Sequence, residues 1–228
     1  IPRSLVETFY GHLQQVVMKS KPKSRQPVQS RIVPHQKFKD MLSYLKKRIS
    51  AGELVFWVMP KISSDEFMSV DSRSKYLEVD GFKVQTLHGK MSEEQKELAL
   101  DRFKMGEKQI LVSTTVIEVG IDIPQANIIC IEDAHYFGLS QLHQLRGRVG
   151  RSNREAWCFL FSDNEEAQVR LDEFVHCHDG FEIAEIDLIY RGAGDLLGQD
   201  QSGWSKLRWT DFYKDFSLIQ SVIQKVKR

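Results

Sequence analysis

Six short runs, Val28 to Val33, Leu54 to Met59, Phe82 to Leu87, Gln109 to Ser113, Asn127 to Ile131 and Ala156 to Phe161, punctuate this chain. Each has the length of a strand, and they alternate with helical patterns. The alternation predicts βαβ units: a single parallel sheet flanked by helices, over about residues 28–162. The intervening helical stretches carry their own signals. Gln36 to Ser50 repeats Phe38, Leu42 and Leu45 on one side. Ser92 with Gln95 three residues on has the form of a capping box, and Gly106 supplies a stop.

Beyond residue 162 the pattern changes. Glu165 to Val175 and Ile183 to Tyr190 read as two short helices joined through His176 to Phe181. An irregular glycine-rich loop is expected next, from Arg191-Gly-Ala-Gly-Asp195 to Gln201-Ser-Gly203. Asp211 to Lys227 is expected to be an amphipathic helix whose stripe of Phe212, Phe216, Ile219, Ile223 and Val226 makes core contact. The domain reading is therefore a basic lead-in over 1–27, an α/β domain over 28–162, and a helical hairpin, loop and final helix over 163–228.

Composition narrows the class without choosing a function. The 228 residues hold no apolar run long enough to span a membrane, and Ile1-Pro-Arg-Ser4 lacks a secretory pattern. Cys130, Cys158 and Cys177 are far apart; the first two fall in strand-like runs and read as buried free thiols of a reducing compartment. His176-Cys-His178 has no second ligand pair, so no metal site is expected. Net charge is +1 but unevenly spread: residues 1–48 carry eleven Lys or Arg against Glu7 and Asp40, whereas residues 163–187 carry nine acids against Arg170. The basic segment reads equally as a phosphate-backbone contact and as a solvated linker, because Lys19 to Pro27 has a linker's composition.

Two motifs carry chemistry. Gln141-Leu-His-Gln-Leu-Arg-Gly-Arg-Val-Gly-Arg151 lies between apolar segments. On a helix starting at Ser140, Gln141, Gln144 and Arg148 share a face while Leu142 and Leu145 point elsewhere. Gly147 and Gly150 allow sharp turns and close approach to a ligand. Arg148 and Arg151 are permanently charged forks suited to phosphate oxygens. The alternative for this stretch is a solvated basic helix end. The second motif is Thr114-Thr-Val-Ile-Glu-Val-Gly-Ile-Asp-Ile-Pro124, a loop after a strand, at the position where α/β sheets bind ligands. Its hydroxyls suit a phosphate and Asp122 suits a sugar hydroxyl, although for a lone Thr114-Thr115 pair ordinary strand preference is the stronger reading.

Together these stretches resemble the last two motifs of superfamily-two helicases and translocases, in Ser113 to Pro124 and Gln144 to Arg151. The longer runs Phe137 to Arg151 and Phe181 to Gly203 are similar to the RecG and Mfd group, and Thr115 to Gly120 and Leu54 to Pro60 look more like RecG. The resemblance implies a RecA-like second motor domain followed by a helical hairpin and translocation loop. It implies ATP and Mg2+ as cofactors, bound mainly by a first motor domain, with Arg148, Arg151 and Gln144 catalytic. Gly120 and Asp122 would join Arg148 and Arg151 around the nucleotide. His88, Gly89, Lys90 and Thr114 would touch the nucleic-acid backbone, and Arg191 and Gln201 would couple cleft closure to translocation, with Gly192, Gly194 and Gly203 permitting the loop's bends.

The chain contains no Gly-x-x-x-x-Gly-Lys-[Ser/Thr] phosphate loop and no acidic magnesium motif of the Asp-Glu-x-His kind. Ile1-Pro-Arg-Ser4 resembles the end of a first motor domain, so the chain is expected to be the C-terminal part of a longer motor and inactive alone. The expected partners are branched or duplex DNA and the upstream motor and wedge domains, with no membrane and a monomeric state. The expected setting is a bacterial cytoplasm, or an organelle. An Mfd-like translocase acting on RNA polymerase and a non-catalytic nucleic-acid-binding fragment are the alternatives.

Overall fold

The computed structural model describes residues 27–60, 66–114 and 123–196. Strands β1 (Val28–Ile32), β2 (Leu54–Val58), β3 (Val84–Leu87), β4 (Ile110–Ser113), β5 (Ala126–Ile131) and β6 (Ala156–Leu160) form one sheet in the order β1-β6-β5-β2-β4-β3. Every pairing is parallel. The expected strands are all present, each within two residues of its expected bounds. Burial follows position in the sheet: β2, β4 and β5 are buried at every residue, as strands covered on both faces must be, while the edge strands β1 and β3 are only partly covered.

The helices are α1 (Phe38–Ser50), α2 (Glu66–Val79), α3 (Glu93–Lys104), α4 (Leu139–Arg146), α5 (Gln168–His176) and α6 (Gly180–Leu196). The helices that cover the sheet lie on both of its faces. Leu42 and Leu45 of α1 and Val70 and Leu77 of α2 share one core with Val55, Trp57, Val112 and Cys130. On the other face Phe103 of α3 meets Phe56, ring centroids 5.4 Å apart. Each such fully buried Leu or Phe contributes about 1.5–3 kcal/mol. The capping box at the start of α3 forms in both directions, with Gln95 N donating to Ser92 Oγ (3.2 Å) and Ser92 N to Gln95 Oε1 (3.0 Å). Gly106 stands beyond the helix end at φ 76, the left-handed region that stops a helix cheaply only at glycine.

α2 has no counterpart among the expected elements. Its sequence lacks a clear apolar period, and Ser69, Asp71, Ser72 and Ser74 favour turns over helix interiors. Tertiary contacts override that preference. Val70 and Leu77 are fully buried, and Arg73 bonds the buried Glu132 while its guanidinium lies over Phe38, Trp57 and Tyr76 at 5.4–5.8 Å.

The described residues divide into two compact units, and the one that holds the sheet is Lys21–His176. It includes α5, which packs against β1, so α5 belongs with the sheet and not with the hairpin to which the sequence reading gives it. In the other unit, α6 continues through Arg191, Gly192 and Gly194 to Leu196, where an irregular loop is expected. The two glycines cost about 1 kcal/mol each in a helix interior. They extend a helix already nucleated over eleven residues, and each further residue adds a backbone hydrogen bond. Residues 1–26, Gln201, Gly203 and the expected Asp211 to Lys227 helix lie outside the described residues.

All three cysteines are buried, and none is in a disulfide. Pairing of Ile129 with Cys158 and of Cys130 with Phe159 puts the Cys130 and Cys158 thiols on opposite faces of the sheet. Burial pushes the Cys158 thiol up to about 12, and Cys130 well above its ordinary value.

Candidate functional site

α4 begins at Leu139, after Gly138 in extended conformation, so Ser140 lies within the first turn rather than at the start. Leu139, Leu142 and Leu145 are fully buried, which turns Gln144 outward to solvent. The helix closes with Gly147 N donating to His143 O (3.0 Å) and Arg148 N to Leu145 O (2.9 Å). Val149 is fully buried and anchors the turn, Gly150 takes φ 75, and Arg151 emerges exposed. A side chain at Gly150 would cost about 1–2 kcal/mol in that conformation. One helix end and its turn thus carry exposed Gln144, half-buried Arg148 and exposed Arg151 within eight residues.

Arg146, in the middle of the same motif, does something else. It is 4 % exposed, with Nη1 donating to Phe174 O (3.1 Å) and contacting Ser30 Oγ (3.4 Å), and its guanidinium lies 4.3 Å over the Phe174 ring. Nη2 lies 3.1 Å from His143 Nδ1. Arg146 therefore ties the end of α4 to β1 and α5, and of the motif's arginines it is the inward-facing one.

The turn after α4 is clipped to the amino edge of the sheet. Ser152 Oγ donates to Asn127 Oδ1 (2.6 Å) at the start of β5. Arg154 Nη1 donates to Ala51 O (3.0 Å), and Arg48 Nη2 donates to both Glu155 O (2.7 Å) and Glu53 Oε2 (2.9 Å), just before β2. Asn127, Ser152, Arg154 and Arg48 are not among the site residues read from the sequence. Arg48, Asn127 and the turn that carries Ser152 and Arg154 are remote in sequence from one another, and only the strand order brings them together.

The second motif spans the sheet. β4 delivers Ser113 and Thr114 to the carboxyl edge, but by Gln125 the chain has returned to the amino edge, where Leu54 N donates to Gln125 O (3.0 Å). A parallel connection must make that return. The last residues of the loop, from Ile123 on, therefore flank β2 and β5 at the other edge. Gly120 and Asp122 themselves lie outside the described residues.

At the carboxyl edge, pairing of Leu87 with Ser113 makes His88 and Thr114 leave the sheet side by side. Gly89 and Lys90 are exposed, whereas His88 is 9 % and Thr114 only 1 % exposed. From His88 a groove of about 370 Å³ follows α3, lined by Gln85, His88, Lys90, Met91, Gln95, Leu98, Ala99 and Arg102. Arg191 lies in α6 and Gln201 outside the described residues, so the structure does not join these two. Among the described residues no helix is long and apolar enough to cross a membrane, and no cluster of three or more His, Cys, Asp or Glu is placed to hold a metal.

A six-stranded parallel sheet flanked by helices, with a glutamine–arginine turn clipped to one edge, defines a RecA-like helicase motor domain. Comparison with known proteins agrees. The sequence pattern of the helicase conserved C-terminal domain matches residues 36–153, and that of the ATP-dependent DNA helicase RecG, domain 3, C-terminal, matches residues 177–228. The chain is 41 % identical over 228 residues to the ATP-dependent DNA helicase RecG of Thermotoga maritima, covering 96 % of this chain and 29 % of that protein. It is 34 % identical to RecG of Bacillus subtilis, covering 98 % and 34 %. A chloroplastic/mitochondrial RecG homologue of Arabidopsis thaliana is 39 % identical, covering 89 % and 22 %. A solved structure of RecG bound to a three-way DNA junction superposes with TM-score 0.75 at 42 % identity, over 96 % of this chain and 29 % of that one. The chain belongs to the helicase conserved C-terminal domain family, within its RecG branch. It spans about a third or less of the length of the curated relatives named here.

Proposed function

We propose that this chain forms the second motor domain and coupling segment of an ATP-dependent DNA helicase that remodels branched DNA, such as stalled forks and Holliday junctions, in recombination and repair. The observation that carries the reading is the sorting of the α4 motif: its apolar residues and Arg146 are buried, while Gln144 and Arg151 are exposed and Arg148 is half-buried between them at one turn. The relative bound to a three-way junction supports branched DNA as the substrate class.

ATP, when bound, supplies a phosphoanhydride whose cleavage develops charge on the terminal phosphoryl oxygens. The donor set suits it. Arg148 and Arg151 would hold those oxygens with charge-assisted hydrogen bonds, and Gln144 would orient the surrounding polar network. Gly120 and Asp122 would meet the sugar side of the nucleotide, and Mg2+ would be held mainly by the first motor domain. At the opposite edge His88, Gly89, Lys90 and Thr114 would face the DNA backbone, with Lys90 the best presented in this arrangement. Arg191 and Gln201 would convert cleft movement into a step along DNA. The intact motor acts as a monomer, in a bacterial cytoplasm or an organelle.

In the intact protein, Arg151→Ala should lower DNA-stimulated ATP turnover by about 10³-fold or more, the order found for arginine fingers. Affinity for branched DNA should stay within about threefold, since Arg151 leaves the sheet at the edge away from Lys90. Near-normal ATP turnover would refute the assignment.

A further inference from the structure

The groove beside β3 extends the DNA contact beyond the residues that the resemblance supplies. Its lining holds two cations, Lys90 and Arg102, two amides, Gln85 and Gln95, an apolar floor of Met91, Leu98 and Ala99, and no acid. That selection is not a property of α3 as a whole, which also carries Glu93, Glu94, Glu97 and Asp101. Of these, Glu93 pairs with Lys96 (2.6 Å) and Asp101 with Lys104 (3.4 Å), leaving the two groove cations without an acidic partner among the described residues. Exposed Leu98, 54 % accessible, adds an apolar surface at the groove's mouth.

Position gives the groove a direction. β3 is an edge strand of the sheet, and His88-Gly-Lys90 is where its carboxyl end turns into α3. Arg102 stands ten residues after Ser92, about 15 Å down the helix axis. Its side chain leans back toward the helix start and into the groove. A strand contacting Lys90 at the sheet edge and continuing along the groove would bring a different phosphate to Arg102, while its sugars cross the apolar floor.

We propose that this groove is a backbone-tracking channel for one DNA strand, in which Arg102 binds a phosphate a few nucleotides beyond the one met by Lys90. The proposal rests on the reading of Lys90 as a backbone contact and adds the path of the strand and a second cation. An acidic peptide has the same charge but no reason to give the counterion signature used in the test below.

The test measures affinity of the intact protein for a three-way DNA junction by fluorescence anisotropy over a series of salt concentrations. Each phosphate contact contributes about 0.9 to the slope of log affinity against log salt on duplex, or about 0.7 on a single strand. Arg102→Ala should weaken binding several-fold and reduce that slope by about 0.7–0.9. Arg102→Lys should restore the slope, because the charge returns. Lys90→Ala should have a separate effect of like size, and the double variant should lose about twice as much slope. Unchanged slope for Arg102→Ala beside a reduced slope for Lys90→Ala overturns the channel alone. Unchanged slopes for both overturn the underlying backbone reading as well. A weakened affinity that Arg102→Lys does not rescue assigns Arg102 to helix structure and also overturns the channel.

Discussion

Replacing Arg146 with methionine keeps most of the side chain's length while removing its charge and donors. The wild-type side chain makes a 3.1 Å hydrogen bond to Phe174 O and covers the Phe174 ring at 4.3 Å. A hydrogen bond from a charged donor is worth about 1.5–3 kcal/mol, and a desolvated cation–π contact about 2 kcal/mol. The 3.4 Å contact to Ser30 adds little. Against this, the variant no longer buries a charge, which returns part of the sum. The net loss should be about 2–3 kcal/mol, felt where α4 meets β1 and α5. Hydrogen exchange in the intact protein reads it locally: peptides covering Val28–Ile32 and Gln168–His176 should exchange about 30- to 150-fold faster. ATP turnover should fall only as far as the turn at Gly147 to Arg151 loosens. Unchanged protection with ATP turnover lost outright would refute the reasoning and make Arg146 a nucleotide contact like its neighbours.

Three further outcomes follow from single environments. Gly150→Ala places a Cβ at φ 75, so it should cost about 1–2 kcal/mol and lower ATP turnover without changing junction affinity; wild-type turnover would show that the turn does not set the direction of Arg151. Burial raises the Glu132 carboxyl above its ordinary value, opposed in part by Arg73 and Trp57. Its ionised form therefore opposes folding, a cost absent below the ordinary value near 4.5 and complete once the pH passes the raised one. Across that window the melting temperature of wild type should fall with rising pH by more than that of Glu132→Gln, and parallel profiles would exclude it as the titrating group. Finally, Cys130 and Cys158 should stay unreactive to a thiol reagent at pH 8 until the protein unfolds, because burial disfavours both thiolates; rapid labelling of either in the native state would contradict the placement.

The sheet was legible because each strand pairs an apolar run with a turn signal, and α3 because Ser92, Gln95 and Gly106 mark both its ends. α2 was not, since its helicity rests on partners distant in sequence: Trp57 and Glu132, brought close by adjacent strands β2 and β5. Gln144, Arg148 and Arg151 could be picked out by spacing, and Leu142 and Leu145 by their polarity. What spacing could not supply was the role of Arg146 between them. All three arginines have the same chemistry, and only the carbonyl and ring of Phe174, 28 residues on, mark one as structural. The clips from Ser152, Arg154 and Arg48 were hidden for the same reason.

The two candidate interfaces leave the sheet at opposite edges, and the layer between them is almost entirely hydrocarbon, with β2, β4 and β5 buried throughout. Strands of four to six residues put about 13–20 Å between those edges. No proton or charge is relayed over that span through such packing, so whatever one edge learns of the other must travel as displacement. The sheet is then a lever whose stiffness is itself a functional property. A cavity cut at Trp57 or Phe56, touching neither interface, would tax that stiffness and let each edge work without the other.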